Sequence, residues 1–279
     1  MLFNAQLKPH LHRSNKMKKA LIVAVILLTG LTGYAQKTAI SDTIETPKQE
    51  IKKSRLDFNV NLRTSHLWRG LVINDGMTAT GYLHYALDKK QHFTVGFWGG
   101  AGFAGNYTEI NYFVQYQKND LSIGLWNLFN TKGIENPEVF NYDKNTTTHL
   151  IDLRTSYRFP STFPLRVEAD VLLYSGLNDR ELNNENQYRS RYSTYVEVSY
   201  PIIRDQKVNL NLFLGAAFPI IGSKHLHTSN VESNFDIVNA GMALTKNIEI
   251  FDYKLPVSAT AMWNPANKIA RIQLDVSLF

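Results

Sequence analysis

Leu56-Asp57-Phe58-Asn59-Val60-Asn61-Leu62-Arg63 alternates apolar and polar side chains without a break. In an extended chain this puts Leu56, Phe58, Val60 and Leu62 on one face and Asp57, Asn59, Asn61 and Arg63 on the other. The same period of two returns along the chain and predicts twelve strands: 56–68, 78–87, 92–103, 108–117, 121–129, 148–157, 165–175, 191–200, 208–218, 234–245, 255–263 and 270–279. No segment competes as an amphipathic helix, so the expected class is all-β.

Alternation alone does not separate a sandwich from a membrane barrel, and the connections decide between them. Counted from the first strand, the odd ones (69–77, 104–107, 130–147, 176–190, 219–233 and 264–269) include the long polar segments. The even ones are mostly tight, as at Asp88-Lys89-Lys90-Gln91 and Lys118-Asn119-Asp120, with 246–254 as the exception. Short turns at one end and long loops at the other mark an outer-membrane barrel with its termini on the short-turn side. Apolar-face aromatics fall at both strand ends: Trp68, Phe103, Phe129, Phe218 and Trp263 toward the loops, and Phe58, Tyr85, Phe93, Tyr116, Tyr157 and Tyr200 toward the turns. Rings at both interfaces, flanking a band of Val, Leu, Ile and Ala, suit a lipid-facing wall. The expected fold is a closed antiparallel transmembrane β-barrel of about 12 strands at residues 55–279.

The chain has 279 residues, no cysteine and a formal charge of +6. Residues 1–35 hold five of the 30 Lys and Arg and none of the 24 Asp and Glu, which leaves +1 for the rest. No basic face remains for nucleic acid. Met17-Lys18-Lys19, the apolar run Ala20–Leu28 and the small residues Gly33 and Ala35 have the order of a secretory signal peptide. Cleavage is expected after Ala35, with synthesis starting at Met17, and the apolar run is short of the ~20 residues a membrane helix needs. Residues 36–54 read as a flexible periplasmic lead-in. The expected location is the bacterial outer membrane, with outer-membrane lipids and the barrel insertion machinery as partners. At the C-terminus Ala270, Ile272, Leu274, Val276 and Leu278 form the lipid face, and Phe279 falls out of phase unless a bulge intervenes.

Function is read on the lumen face. Asp152, Arg154, Arg166, Glu168, Asp170, Arg191 and Glu197 fall there by parity and are expected to form a cross-strand charge ladder. Such a ladder either orients a polar solute or fills a narrow barrel with salt bridges. Tyr82, Trp98, Phe113 and Trp126 come from four consecutive predicted strands and are expected to lie together, beside room left by Gly96, Gly100 and Gly124. They either stack on rings of a solute or fill space.

Other chemistry finds little support. His227-Thr228-Ser229 has an H-x-S spacing used by some outer-membrane lipid hydrolases, but with 8 His in the chain chance alone supplies about 0.5 such pairs. His225 and His227 lack a third metal ligand nearby. Gly99-Gly100-Ala101-Gly102 lies within a strand and opens no helix, so no phosphate loop is implied. No catalytic residue, metal or cofactor is expected.

Asn59 through Trp68-Arg69-Gly70, followed by Asn74-Asp75-Gly76, resembles the first hairpin of the TorF-type outer-membrane porins. Leu255-Pro256-Val257-Ser258 through Trp263-Asn264-Pro265 resembles that family's C-terminal part. Leu71-Val72-Ile73 departs from the pattern, where polar residues are usual. The resemblance implies an outer-membrane barrel with a passive channel role, and lends no substrate or catalytic residue. The sequence therefore leads to a pore for small polar solutes, with a closed barrel acting through adhesive external loops as the alternative.

Overall fold

The computed structural model describes residues 54–183, 185–205, 208–229, 233–251 and 253–278. The leader read at 1–35, the lead-in up to residue 53, and Phe279 lie outside them. In chain order the strands are β1 (Leu56–Arg63), β2 (His66–Trp68), β3 (Leu71–Asn74), β4 (Thr78–Ala86), β5 (Phe93–Gly102), β6 (Thr108–Lys118), β7 (Leu121–Asn130) and β8 (Leu150–Arg158). They continue as β9 (Arg166–Ser175), β10 (Arg180–Leu182), β11 (Tyr188–Ser190), β12 (Ser193–Arg204), β13 (Val208–Pro219), β14 (Asp236–Ile250), β15 (Tyr253–Asn264) and β16 (Ile269–Ser277).

Twelve of these close into one barrel in the order β1-β16-β15-β14-β13-β12-β9-β8-β7-β6-β5-β4. Every pairing is antiparallel, and β1 seals the ring against β16 from Asn61↔Ser277 to Arg63↔Asp275. Closure leaves no unpaired edge, the condition for placing a sheet in hydrocarbon. The other four strands form two small hairpins, β2–β3 and β10–β11.

The alternation works as the polarity dictates. Leu83, Phe97, Val114, Leu125, Leu214 and Leu244 are among the large apolar side chains left exposed on the outer surface. A closed barrel with this outer belt is the architecture of an outer-membrane barrel. Phe58, Tyr85, Phe93 and Tyr157 stand exposed toward the turn end, and Phe103 and Trp263 toward the loop end.

Three sequence expectations change. The turn expected at 246–254 is much shorter, because Ile248 and Ile250 carry the alternation on and the ladder runs to Ile250↔Tyr253. Phe129 does not face lipid: it is 2% exposed and stacks on His149 at 4.1 Å between ring centroids, covered by the end of the loop between β7 and β8. Trp68 is not on the wall at all. The first strand stops at Arg63, and the segment expected to complete it turns into the lumen as β2–β3.

Candidate solute passage inside the barrel

The inward hairpin organises the interior. Trp68 and Leu71 pair directly, leaving Arg69 and Gly70 as a two-residue turn with φ of 48° and 82°. Positive φ at both central positions is the tight hairpin turn whose twist matches its strands, and glycine is the usual second residue. At its base, Leu67 N–H donates to Gln273 Oε1 at 3.1 Å, Arg63 pairs with Asp275, and Asn74 donates to Thr78 Oγ1 at 2.9 Å. At its tip, Asn264 Nδ2 donates to the Gly70 carbonyl at 3.0 Å. The hairpin thus reaches from the β1–β16 seam to side chains on the far walls.

Its tip meets the charge ladder. Arg69 Nη2 lies 2.9 Å from Asp152 Oδ2 on β8 and in ion-pair contact with Asp170 on β9, and both carboxylates are wholly buried. The guanidinium also lies over Trp68 and Tyr195, at 4.8 and 5.4 Å from their ring centroids. Around it the wall residues stand in register: Arg154 opposite Asp170, and Glu168 opposite Glu197. Arg154 Nε donates to Asp152 Oδ2 at 2.8 Å, Arg166 pairs with Glu168 at 2.5 Å, and Glu197 accepts from Tyr195 and from Asn239.

Six of the seven expected ladder residues are thus on adjoining strands. Arg191 is not. It precedes β12, donates to the Arg180 carbonyl at 2.7 Å and lies 3.8 Å from Asp179, because the strand begins two residues later than its alternation implies. The cation that completes the network is Arg69, which the sequence reading left in an external loop. A two-residue Arg-Gly step between His66-Leu67-Trp68 and Leu71-Val72-Ile73 was the available signal.

The four expected aromatics do converge. Tyr82 and Phe113 stack at 5.3 Å, Phe113 and Trp126 at 4.1 Å, and Trp98 packs against the same cluster. A Cβ at Gly96 would stand 2.6 Å from Phe113, and one at Gly124 would stand 2.9 Å from Trp126 Nε1. These glycines leave room for the rings that lean over them. Between this wall and the hairpin lies a cavity of about 680 Å³, lined by Trp98, Trp126, Arg154, Leu71, Ile73 and Leu226 among others. Lys132 and Asn178, from the long loops, also line it. Leu71, Val72 and Ile73 are apolar because they face this cavity and not solvent outside the barrel.

The segment after β13 folds inward as well. Leu226 N–H donates to Ser193 Oγ at 2.8 Å, and the His227 ring lies 5.3 Å from Trp68 and 5.5 Å from Tyr195. Burial, then the charge of Arg69, pushes the His227 imidazole down to about 3 from an ordinary 6.5. Arg69 and Asp152 are the charged wall and hairpin groups acting on it, beside His225, which bonds Asp236 Oδ2 at 3.0 Å. The docked ring stays neutral, so docking is at full strength above the free-histidine value and weakens as pH falls through 6.5 toward 3. At pH 5 the docking equilibrium is expected to be about 30-fold weaker than at pH 8. Amide exchange of Leu226 and His227, corrected for intrinsic rates, measures it, and pH-independent protection would rule this out.

The H-x-S spacing does not become a catalytic pair. Ser229 N–H and Oγ both bond Asn267 Oδ1, at 2.8 and 2.9 Å, while His227 points at Trp68 and Tyr195. Among the described residues no group of three His, Cys, Asp or Glu is placed to hold a metal ion.

No family model matches the chain, and no curated protein matches it. Solved structures that share its barrel architecture include the NanC porin, at 8% identity over 79% of this chain and 98% of that one with a TM-score of 0.40. An outer membrane channel from Pseudomonas putida F1 aligns at 14% identity over 84% of this chain and 98% of that one, with a TM-score of 0.41. A Rhodopseudomonas blastica porin aligns at 10% identity over 80% and 99%, with a TM-score of 0.33. At these identities and TM-scores the likenesses carry no assignment for this chain. The class defined by the closed twelve-stranded ring and its outer apolar belt is an outer-membrane-type β-barrel.

Proposed function

We propose that this protein is a channel for passive passage of small polar solutes across the bacterial outer membrane, in which the inward hairpin confines transit to the slot beside β4–β8. The observation that carries this reading is the 680 Å³ cavity itself, which is lined by residues from the long loops and from mid-wall alike. Mixed polar and aromatic lining at close quarters is the means by which pores sort solutes. Of the ladder residues, Arg154 lines the cavity and acts in this reading as filter, while Asp152 and Asp170 anchor the hairpin through Arg69. The likeness of the Trp68-Arg69-Gly70 segment to the TorF-type porins supports the same reading.

Refolded protein in a planar bilayer is expected to give small ohmic steps, with heat-modifiable gel mobility confirming a formed barrel. A folded barrel that never conducts, with or without the hairpin latched, would overturn the channel reading.

A further inference from the structure

The cavity has a chemical polarity that narrows what it takes, and the following rests on the channel reading above. Tyr82, Phe113 and Trp126 form one continuous stack, and the Arg154 guanidinium extends it at 4.2 Å from the Trp126 centroid. Gly124, opposite Arg154 in the ladder, supplies the room for Trp126. Arg154 engages Asp152 through Nε, and among the described residues no partner is found for its two terminal nitrogens. Its side chain is 27% exposed and lines the cavity.

Among the described residues no lining carboxylate forms an ion pair with it, although Glu109 lies within reach of its charge. Glu109 is the single acidic residue among those described around the cavity, and it already accepts from Tyr107 at 3.0 Å, Asn111 at 2.7 Å and Asn130 at 3.3 Å. Arg63, the other lining arginine, is paired with Asp275. Lys132, whose Nζ bonds the Ile73 carbonyl at 3.1 Å, adds a second positive charge, with Asp75 outside the cavity lining as the carboxylate that feels it. Across from the aromatic wall the cavity is closed by aliphatic side chains, chiefly Leu71, Ile73 and Leu226.

We infer that this cavity is a binding site for a small organic anion with a flat apolar body, the simplest being an aromatic carboxylate. A ring fits between an aromatic and an aliphatic wall, and a carboxylate matches the two parallel donors of a guanidinium held in place by stacking. A neutral sugar fits less well, because hydroxyls turned to the aliphatic wall would lose their water without gaining partners. A volume of 680 Å³ lies within the ordinary range for small-ligand pockets.

Three of the four tryptophans, Trp68, Trp98 and Trp126, line this cavity, so their fluorescence reports occupancy. The full refolded chain in detergent micelles is titrated with benzoate, benzyl alcohol and benzamidinium. Saturable quenching by benzoate, at least tenfold tighter than by the other two, is expected, and Arg154→Gln should lower benzoate affinity at least tenfold. Equal affinity for the three probes, or no saturable benzoate binding by the unaltered chain, would overturn the site. If Arg154→Gln fails to give heat-modifiable barrel, the comparison of the three probes on the unaltered chain decides alone. Micelle binding needs no ion flow, so a conducting barrel that ignores benzoate sinks only this inference, and a benzoate-binding barrel that never conducts sinks only the channel.

Discussion

Arg69→Ala is expected to release the hairpin from the far wall and raise the unitary conductance of the barrel. Arg69 is buried, and so are Asp152 and Asp170, so its loss leaves two carboxylates facing one remaining neighbour, Arg154. Breaking a buried ion pair from one side costs about 3–5 kcal/mol. That penalty falls mostly on the docked hairpin, because once β2–β3 withdraws, water reaches both carboxylates. A shift of about 3 kcal/mol moves the docked-to-released ratio by more than ~100-fold. Larger and noisier current steps are the expected readout, together with faster amide exchange at Trp68 and Leu71. Asp152→Asn combined with Asp170→Asn should give part of the same effect by neutralising the other side. A conductance identical to that of the unaltered barrel would show that the hairpin does not control the passage.

Gly70→Val is expected to unseat the same tip by sterics instead of charge. Gly70 has φ +82°, where a branched side chain is strained, and a Cβ there would stand 1.8 Å from the Val238 carbonyl oxygen. Val238 sits at the bulge of β14, between the residues paired with Gly215 and Ala216, and is wholly buried, so its backbone has little room to step aside. The tip must retreat, losing the Asn264 bond to Gly70 and drawing Arg69 off its carboxylates. Strain and overpacking together amount to about 2–5 kcal/mol. Gly133→Val is the matched control, with φ +78° but nothing within 4 Å of its Cβ, and it should cost only the local strain. Both variants are compared by urea unfolding in micelles and by conductance. Because Arg69 and Gly70 act on one docked state, the Arg69→Ala, Gly70→Val double variant should fall well short of the summed effects. Equal destabilisation by the two glycine substitutions would mean that the tip seat contributes nothing.

The differences from the sequence reading share one cause. Strand count and register follow from a local rule, since each residue's polarity states whether it faces lipid or lumen, and the next residue states the opposite. Leu56 through Arg63 obey it, as do Ala270 through Leu278, and a misjudged turn such as 246–254 moves only strand ends. Trp68 and Phe129 break the inference because an apolar ring satisfies two environments equally: lipid outside the wall, or packing beneath a loop or hairpin. Arg191 leaves the ladder for a related reason, since a charged side chain just before a strand can join a loop network with Asp179 and Arg180 as readily as a lumen one.

By itself, then, the alternating pattern determined an all-β barrel, its twelve staves, the face presented by residues within them such as Leu56 through Arg63, and the convergence of Tyr82, Phe113 and Trp126. Only the tertiary structure decided that β2–β3 turns inward and that Arg69 docks on Asp152 and Asp170. Arg69 and Asp152 are 83 residues apart, and no periodicity couples positions that meet only when the sheet closes on itself. The free energy of that docking lies in burying charges against each other across the lumen, and a lumen exists only once the last strand has paired with the first.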